Sequence, residues 1–439
     1  MSKYQRLMGL FSLSLLFFWA FNAAPLSAQG GYYAEPTVII NVFGDMGRKY
    51  KVAVLDLEPI SPGDRTDQNA SYLPGRLSAN LAMTGLFEAI DKRGSLEADR
   101  RGGIDDGVPL DFAAWSQVGA DFLVKGAMNL SGSKLVLELR LFDVGLRTQK
   151  LAKRYTGSVK DARKMINQFT NAVILAITGR PGVFGSEIIF VAGQKSQKSI
   201  MMTALGSDEA ETLAGSRGGP STQPTIGPGG RTAWVHRNGK KWELLVDGKV
   251  VSSGDLHLSP AFRPDGVVTA AVSGPNSTGI FSFAGRSRTP LIDQSGINVS
   301  PTFSPDGSMM AYASSRSGSS QIYVTSAAGG DPGRPVTSYG KSTDPAWSPT
   351  GEYIAFVSRE TDICIVRPDG TGERQLTSGQ GTNMRPSFSP DGRMIVFAST
   401  RNGRSQLFVM AVNGDMQQPL MPQYAPAQYS PFWSPVMPE

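Results

Sequence analysis

Gly340-Lys341-Ser342 has the ending of a phosphate-binding loop and is the first candidate for chemistry in this sequence. A loop of that kind needs a glycine five positions before Gly340. Pro335 stands there instead, and proline offers a phosphate no backbone donor. No helical pattern follows, so phosphate binding is excluded. No G-x-S-x-G nucleophile elbow occurs anywhere in the chain. One cysteine and two histidines in 439 residues exclude a disulfide framework and a Cys-built zinc site, and argue against a multi-histidine metal centre. His236, in the strand-like Trp234-Val235-His236, reads as an ordinary hydrogen-bonded histidine, whereas His257 precedes a repeated motif and is better placed to meet a partner. Cys364, between Ile363 and Ile365, reads as a buried strand residue. The Asp-Gly pairs offer isolated carboxylates, not the clustered oxygens of a calcium loop. No cofactor and no metal are expected.

The elements that would position such residues are announced by a repeat. Pro-x-aromatic-x-Pro-x-Gly occurs at Pro260–Gly266, Pro301–Gly307, Pro345–Gly351 and Pro386–Gly392. A degenerate copy stands at Pro224–Gly230 and a truncated one at Pro431–Pro435, and the first prolines are 36, 41, 44, 41 and 45 residues apart. In each unit the aromatic segment forms a short strand and Pro-Asp-Gly a tight turn, because Pro presets the second turn position and Gly tolerates the fourth. Apolar alternation such as Ile354/Phe356 and Ile395/Phe397 gives the next strand. Four strands in about forty residues make a propeller blade. Residues 186–213 read as three strands lacking a Pro-x-aromatic strand, and the last motif supplies one with nothing after it. Pairing the two completes a blade and hides exposed backbone edges. The expected fold is therefore a six-bladed β-propeller of WD40-like repeats over residues 183–439, closed by its C-terminal strand.

Residues 46–182 carry no trace of the repeat and read as a small α/β domain. Strands are expected over 51–57, 122–128 and 135–144, and helices over 73–87, 111–118 and 161–178, the last stopped by Gly179 and Pro181. At the N-terminus, Lys3 and Arg6 precede an apolar run over 7–24, and small residues lead to a cleavage point between Ala28 and Gln29. This is the layout of a secretory signal peptide over residues 1–28. No cysteine stands near the junction to take a lipid. Removing Lys3 and Arg6 lowers the formal charge from +6 to +4, a balance too weak to attract nucleic acid. Residues 29–45 form a tail in which Val38, Ile40 and Val42 alternate like an unpaired strand.

A ring of blades places the loops before each inner strand around the mouth of its channel. Those loops carry Leu256, His257, Ser259, Asn298, Ser300, Thr343, Asp344, Asn383, Arg385 and Ser430. Their mixture of hydrogen-bonding and apolar groups suits protein recognition better than catalysis. Two other classes stay open: a secreted propeller hydrolase or lyase, which needs two converging acids, and a carbohydrate-binding ring, which needs exposed aromatic platforms.

The repeated Pro-x-Phe/Trp-Ser-Pro-Asp-Gly units, the signal peptide and the α/β domain together resemble the TolB family. So do Ala113-Ala114-Trp115-Ser116, Gly119-Ala120-Asp121 and Thr178-Gly179. The resemblance implies a non-enzymatic, monomeric periplasmic component of the Tol–Pal system, serving outer-membrane invagination at division and outer-membrane integrity. It implies that the channel-mouth residues above dock the lipoprotein Pal. It also implies that the tail, through Val38, Ile39, Ile40 and Val42, adds as a strand to TolA. The chain departs from the family pattern at Gly227-Pro228-Gly229-Gly230, so an irregular Pro224 blade is expected.

Overall fold

Val52 and Val54 pack on one side of the first strand and Ala53 on the other, an alternation that puts helices on both faces of the N-terminal sheet. A computed structural model of the protein describes residues 49–90 and 110–438, apart from Pro62, Gly63, Arg65, Arg286 and Tyr339. The expected signal segment with its Ala28–Gln29 junction, and residues Val38, Ile39, Ile40 and Val42 of the expected tail, lie outside the described residues.

The N-terminal elements run β1 (Tyr50–Val54), β2 (Glu58–Pro59), α1 (Asn69–Met83), β3 (Phe87–Ala89), α2 (Phe112–Gln117), β4 (Phe122–Ser131), β5 (Lys134–Asp143), β6 (Thr148–Ser158) and α3 (Ala162–Thr178). They build a mixed sheet of order β3-β1-β4-β5-β6, with β2 beside β4. α1 buries Leu73, Leu77 and Leu81 completely, each contributing roughly 1.5–3 kcal/mol of transfer free energy. Pro74 inside α1 cannot donate to the carbonyl of Ala70, and the Leu57 N–H takes that acceptor instead at 2.8 Å. The Asp111 carboxylate caps α2 through the Ala114 N–H at 3.0 Å. Gly179, at φ 69°, ends α3 in the left-handed conformation. β6 had no counterpart among the expected elements. It is an edge strand rich in Lys and Arg, and only Leu151 and Tyr155 turn inward against the core.

From Glu187 onward the chain forms six four-stranded antiparallel sheets. The inner strands are Gln428–Trp433 (blade 1), Ser221–Ile226 (blade 2), His257–Phe262 (blade 3), Asn298–Phe303 (blade 4), Thr343–Trp347 (blade 5) and Asn383–Phe388 (blade 6). Blade 1 is the split one: Gln428–Trp433 pairs with Glu187–Gln194. Trp433 seals that seam, being 1% exposed and donating its indole N–H to Ser186 Oγ at 2.7 Å. The turn carboxylates have a structural role. Asp306 accepts from the Ser304 and Ser308 hydroxyls and from the Ser308 N–H, which pulls its pKa down to about 2. Blade 2 is as complete as the others, and its departure is confined to the turn, where Gly227 leaves room for a neighbouring ring. A Cβ there would lie 2.4 Å from Phe262.

The α/β domain docks on blades 1 and 6. Asn80 on α1 donates to Asn167 on α3 at 3.0 Å, and Asn167 donates to the carbonyl of Leu205 at 3.3 Å. Arg76 pairs with Asp208 at 3.1 Å. Met83 and Ile174 pack with Phe184, Met394, Met421 and Trp433 in one apolar cluster. α3 therefore buries two faces, one on its own sheet and one on the propeller.

Candidate functional site: the channel collar

Every inner strand carries a register shift just before its motif's first proline. The six residues preceding those prolines are Gln223, Ser259, Ser300, Asp344, Arg385 and Ser430, with φ of 53°, 48°, 56°, 50°, 54° and 45°. An L-residue in that region costs on the order of 1–2 kcal/mol, and a following proline normally drives its neighbour toward extended backbone. Six repetitions of this strain mark a built feature of the ring. The bulge interrupts the ladder where proline has no N–H to give.

The six side chains form a polar collar at the start of the inner strands. Gln223 accepts from the Ser259 N–H at 2.7 Å, and the Ser259 and Ser300 hydroxyls lie 3.2 Å apart. Ser300 donates to Asp344 Oδ1 at 3.3 Å, and Arg385 Nε pairs with the same oxygen at 3.2 Å. Arg385 Nη1 then reaches Ser259 Oγ at 3.4 Å, from blade 6 to blade 3 on the opposite side of the ring. Collar, motif prolines and the rings of Phe262, Phe303, Trp347, Phe388 and Phe432 line a channel cavity of about 410 Å³.

The ten residues expected at the channel mouth separate into three groups. Ser259, Ser300, Asp344, Arg385 and Ser430 come together in the collar. Leu256 and Thr343 are half-buried where loops meet the ring. His257, Asn298 and Asn383, expected among the partner contacts, are buried between blades instead. Asn298 donates to the carbonyls of Thr278 and Gln294, both at 3.0 Å, and Asn383 donates to that of Thr361 at 2.9 Å. His257 meets Ser252 Oγ at 2.9 Å. A buried polar side chain needs partners, and the chain before each of these inner strands supplies them, through backbone carbonyls for the two asparagines and a serine hydroxyl for His257. Gln428 has the same role in blade 1, accepting from the Leu407 N–H.

Gln223 was not among the expected residues because its blade's motif is degenerate, although its place before Pro224 marked it. His236 is hydrogen-bonded to Ser221 Oγ at 3.0 Å, and burial pushes the Cys364 thiol up to about 11. Among the described residues no group of three metal-ligating side chains converges. The collar's chemistry is hydrogen bonding and one ion pair.

Residues 175–437 match the family model described as the TolB beta propeller domain, and residues 38–150 that of the TolB amino-terminal domain. A protein TolB homolog of Chlorobium luteolum is 30% identical over 82% of this chain and 64% of its own length. The Tol-Pal system protein TolB of Bordetella pertussis is 28% identical over 88% of this chain and 89% of its own. The chain thus spans less than two thirds of the first of these relatives. The crystal structure of TolB from Acinetobacter baumannii superimposes with a TM-score of 0.75 at 22% identity, over 89% of this chain and 97% of that one, a likeness of fold.

Proposed function

The chain belongs to the TolB family, and from that membership we propose that it is a non-catalytic periplasmic component of the Tol–Pal system, binding Pal at the ring and TolA through its N-terminal tail. The collar is the observation that carries this reading. It gathers hydrogen-bonding groups from all six blades at one end of an aromatic-walled channel, a surface shaped to read a protein protrusion. Its one carboxylate, Asp344, is engaged by Arg385, which is not the pair of free acids that hydrolase or lyase chemistry needs.

In this reading Pal contacts Leu256, Thr343 and the collar, while His257, Asn298 and Asn383 hold the seams beneath. TolA pairs with the strand-like Val38, Ile39, Ile40 and Val42 after cleavage between Ala28 and Gln29. Joining the two partners links inner membrane to outer membrane and peptidoglycan, for constriction at division and for envelope integrity. The test uses the chain from residue 29 onward and one lacking residues 29–45, each titrated with soluble domains of the cognate TolA and Pal. Loss of TolA binding alone on deletion supports the assignment; unchanged TolA affinity refutes it.

A further inference from the structure

The second inference rests on the Pal reading and concerns what the ring recognises. Arg385 is the collar's single cation and Asp344 its single anion, the other four members being Gln223, Ser259, Ser300 and Ser430. The guanidinium has five N–H donors. Its Nε is held by one oxygen of Asp344 at 3.2 Å and its Nη1 touches Ser259 at 3.4 Å. A guanidinium's Nη1/Nη2 edge matches a carboxylate in bidentate geometry, and among the described residues Asp344 is the only carboxylate paired with Arg385, through Nε. The pair is not sealed away: the Arg385 side chain is 29% exposed and that of Asp344 19%. Asp344 also has a second acidic-tolerant anchor in the Ser300 hydroxyl, so it keeps a donor when the guanidinium turns away.

We propose that Arg385 recognises an acidic side chain presented by the docked partner, and that Asp344 is a resident competitor for the same guanidinium. Docking exchanges an ion pair within the ring for one between the two proteins. The side chain that projects from the partner is an aspartate or glutamate, and the serine hydroxyls around it reorient to donate. Asp344 keeps the collar's cation neutralised when no partner is bound, which disfavours adventitious anions there.

The two collar charges therefore have opposite effects on affinity. In calorimetric titrations of the chain from residue 29 onward with the soluble domain of the cognate Pal, Arg385→Gln weakens binding on the order of 100-fold. Asp344→Asn, an isosteric change that keeps the Ser300 hydrogen bond, tightens it about 3- to 10-fold and steepens its weakening by salt. An acid-to-amide change in Pal that costs affinity against the wild type and nothing against Arg385→Gln identifies the incoming group. Unchanged melting temperatures show that both variants fold. Wild-type affinity in Arg385→Gln, or weaker binding in Asp344→Asn, overturns the exchange and leaves the Pal reading standing. No binding of Pal by the wild type overturns both.

Discussion

His257 occupies a seat that asparagine fills in blades 4 and 6 and glutamine in blade 1, and it is the one titratable side chain among these four seam residues. Burial holds its pKa below the ordinary histidine value of about 6.5, against the pull of the Asp255 carbonyl and carboxylate, while Arg288 pushes the same way as burial. The unfolded chain therefore takes up a proton at higher pH than the folded one. Stability from this group is complete above the ordinary value and is lost as pH falls through it toward the lower folded value. Melting temperatures measured from pH 7.5 to 5 should decline less in His257→Asn, which installs the amide of the other seams. Parallel curves for the two proteins refute this role. The same residue shows where sequence reading stops. A polar side chain beside a repeated turn has one appearance whether it faces a partner or pins two blades. The collar residues are hidden differently, since Gln, Ser, Asp and Arg share one backbone conformation that none of them favours and only the following proline gives away.

Elements whose residues have fixed conformational duties were legible in advance. Pro presets one turn position and Gly the other, so the blades could be counted before any contact was known. α3 was legible through its stripe of Met165, Ile166, Phe169 and Val173. β6 was not, because a strand at a sheet edge with Lys150, Lys153 and Arg154 facing water has no alternation to read. The element with the most resting on it is the inner strand of blade 1. Trp433 there is buried, donates its indole N–H to Ser186 Oγ, and donates its backbone N–H to Ser387 Oγ at 2.9 Å. Trp433→Ala should cost about 3–5 kcal/mol, with the lost indole leaving a cavity where blades 1 and 6 meet the α/β domain. Equilibrium denaturation measures it, and a loss under about 1 kcal/mol refutes the sealing role.

Across the whole molecule, the α/β domain and the ring share a continuous interface in which Asn80, Asn167 and the loop at Leu205 form a hydrogen-bonded chain. Gly206 lies on that chain at φ 83°, and a Cβ on it would stand 2.5 Å from Asn167 Oδ1. Gly206→Ala should destabilise the interface by about 1–2 kcal/mol from backbone strain alone, and should separate a single calorimetric transition into two. One unsplit transition at the wild-type temperature refutes the coupling. Such a polar relay between domains was not legible in sequence, because Asn80 and Asn167 sit among apolar helix positions and meet only through the tertiary arrangement.

The split blade also fixes an order of events. Trp433 and Ser186 are 247 residues apart, so blade 1 cannot gain its fourth strand until the chain as far as Trp433 is available. A chain delivered from its N-terminus through a narrow pore has an open ring until residue 433 has passed through. The last seam to form is also the one against which the α/β domain packs. Ring closure thereby waits on the strand Gln428–Trp433, and a chain stalled before that point lacks the sixth collar residue, Ser430, and with it a complete collar.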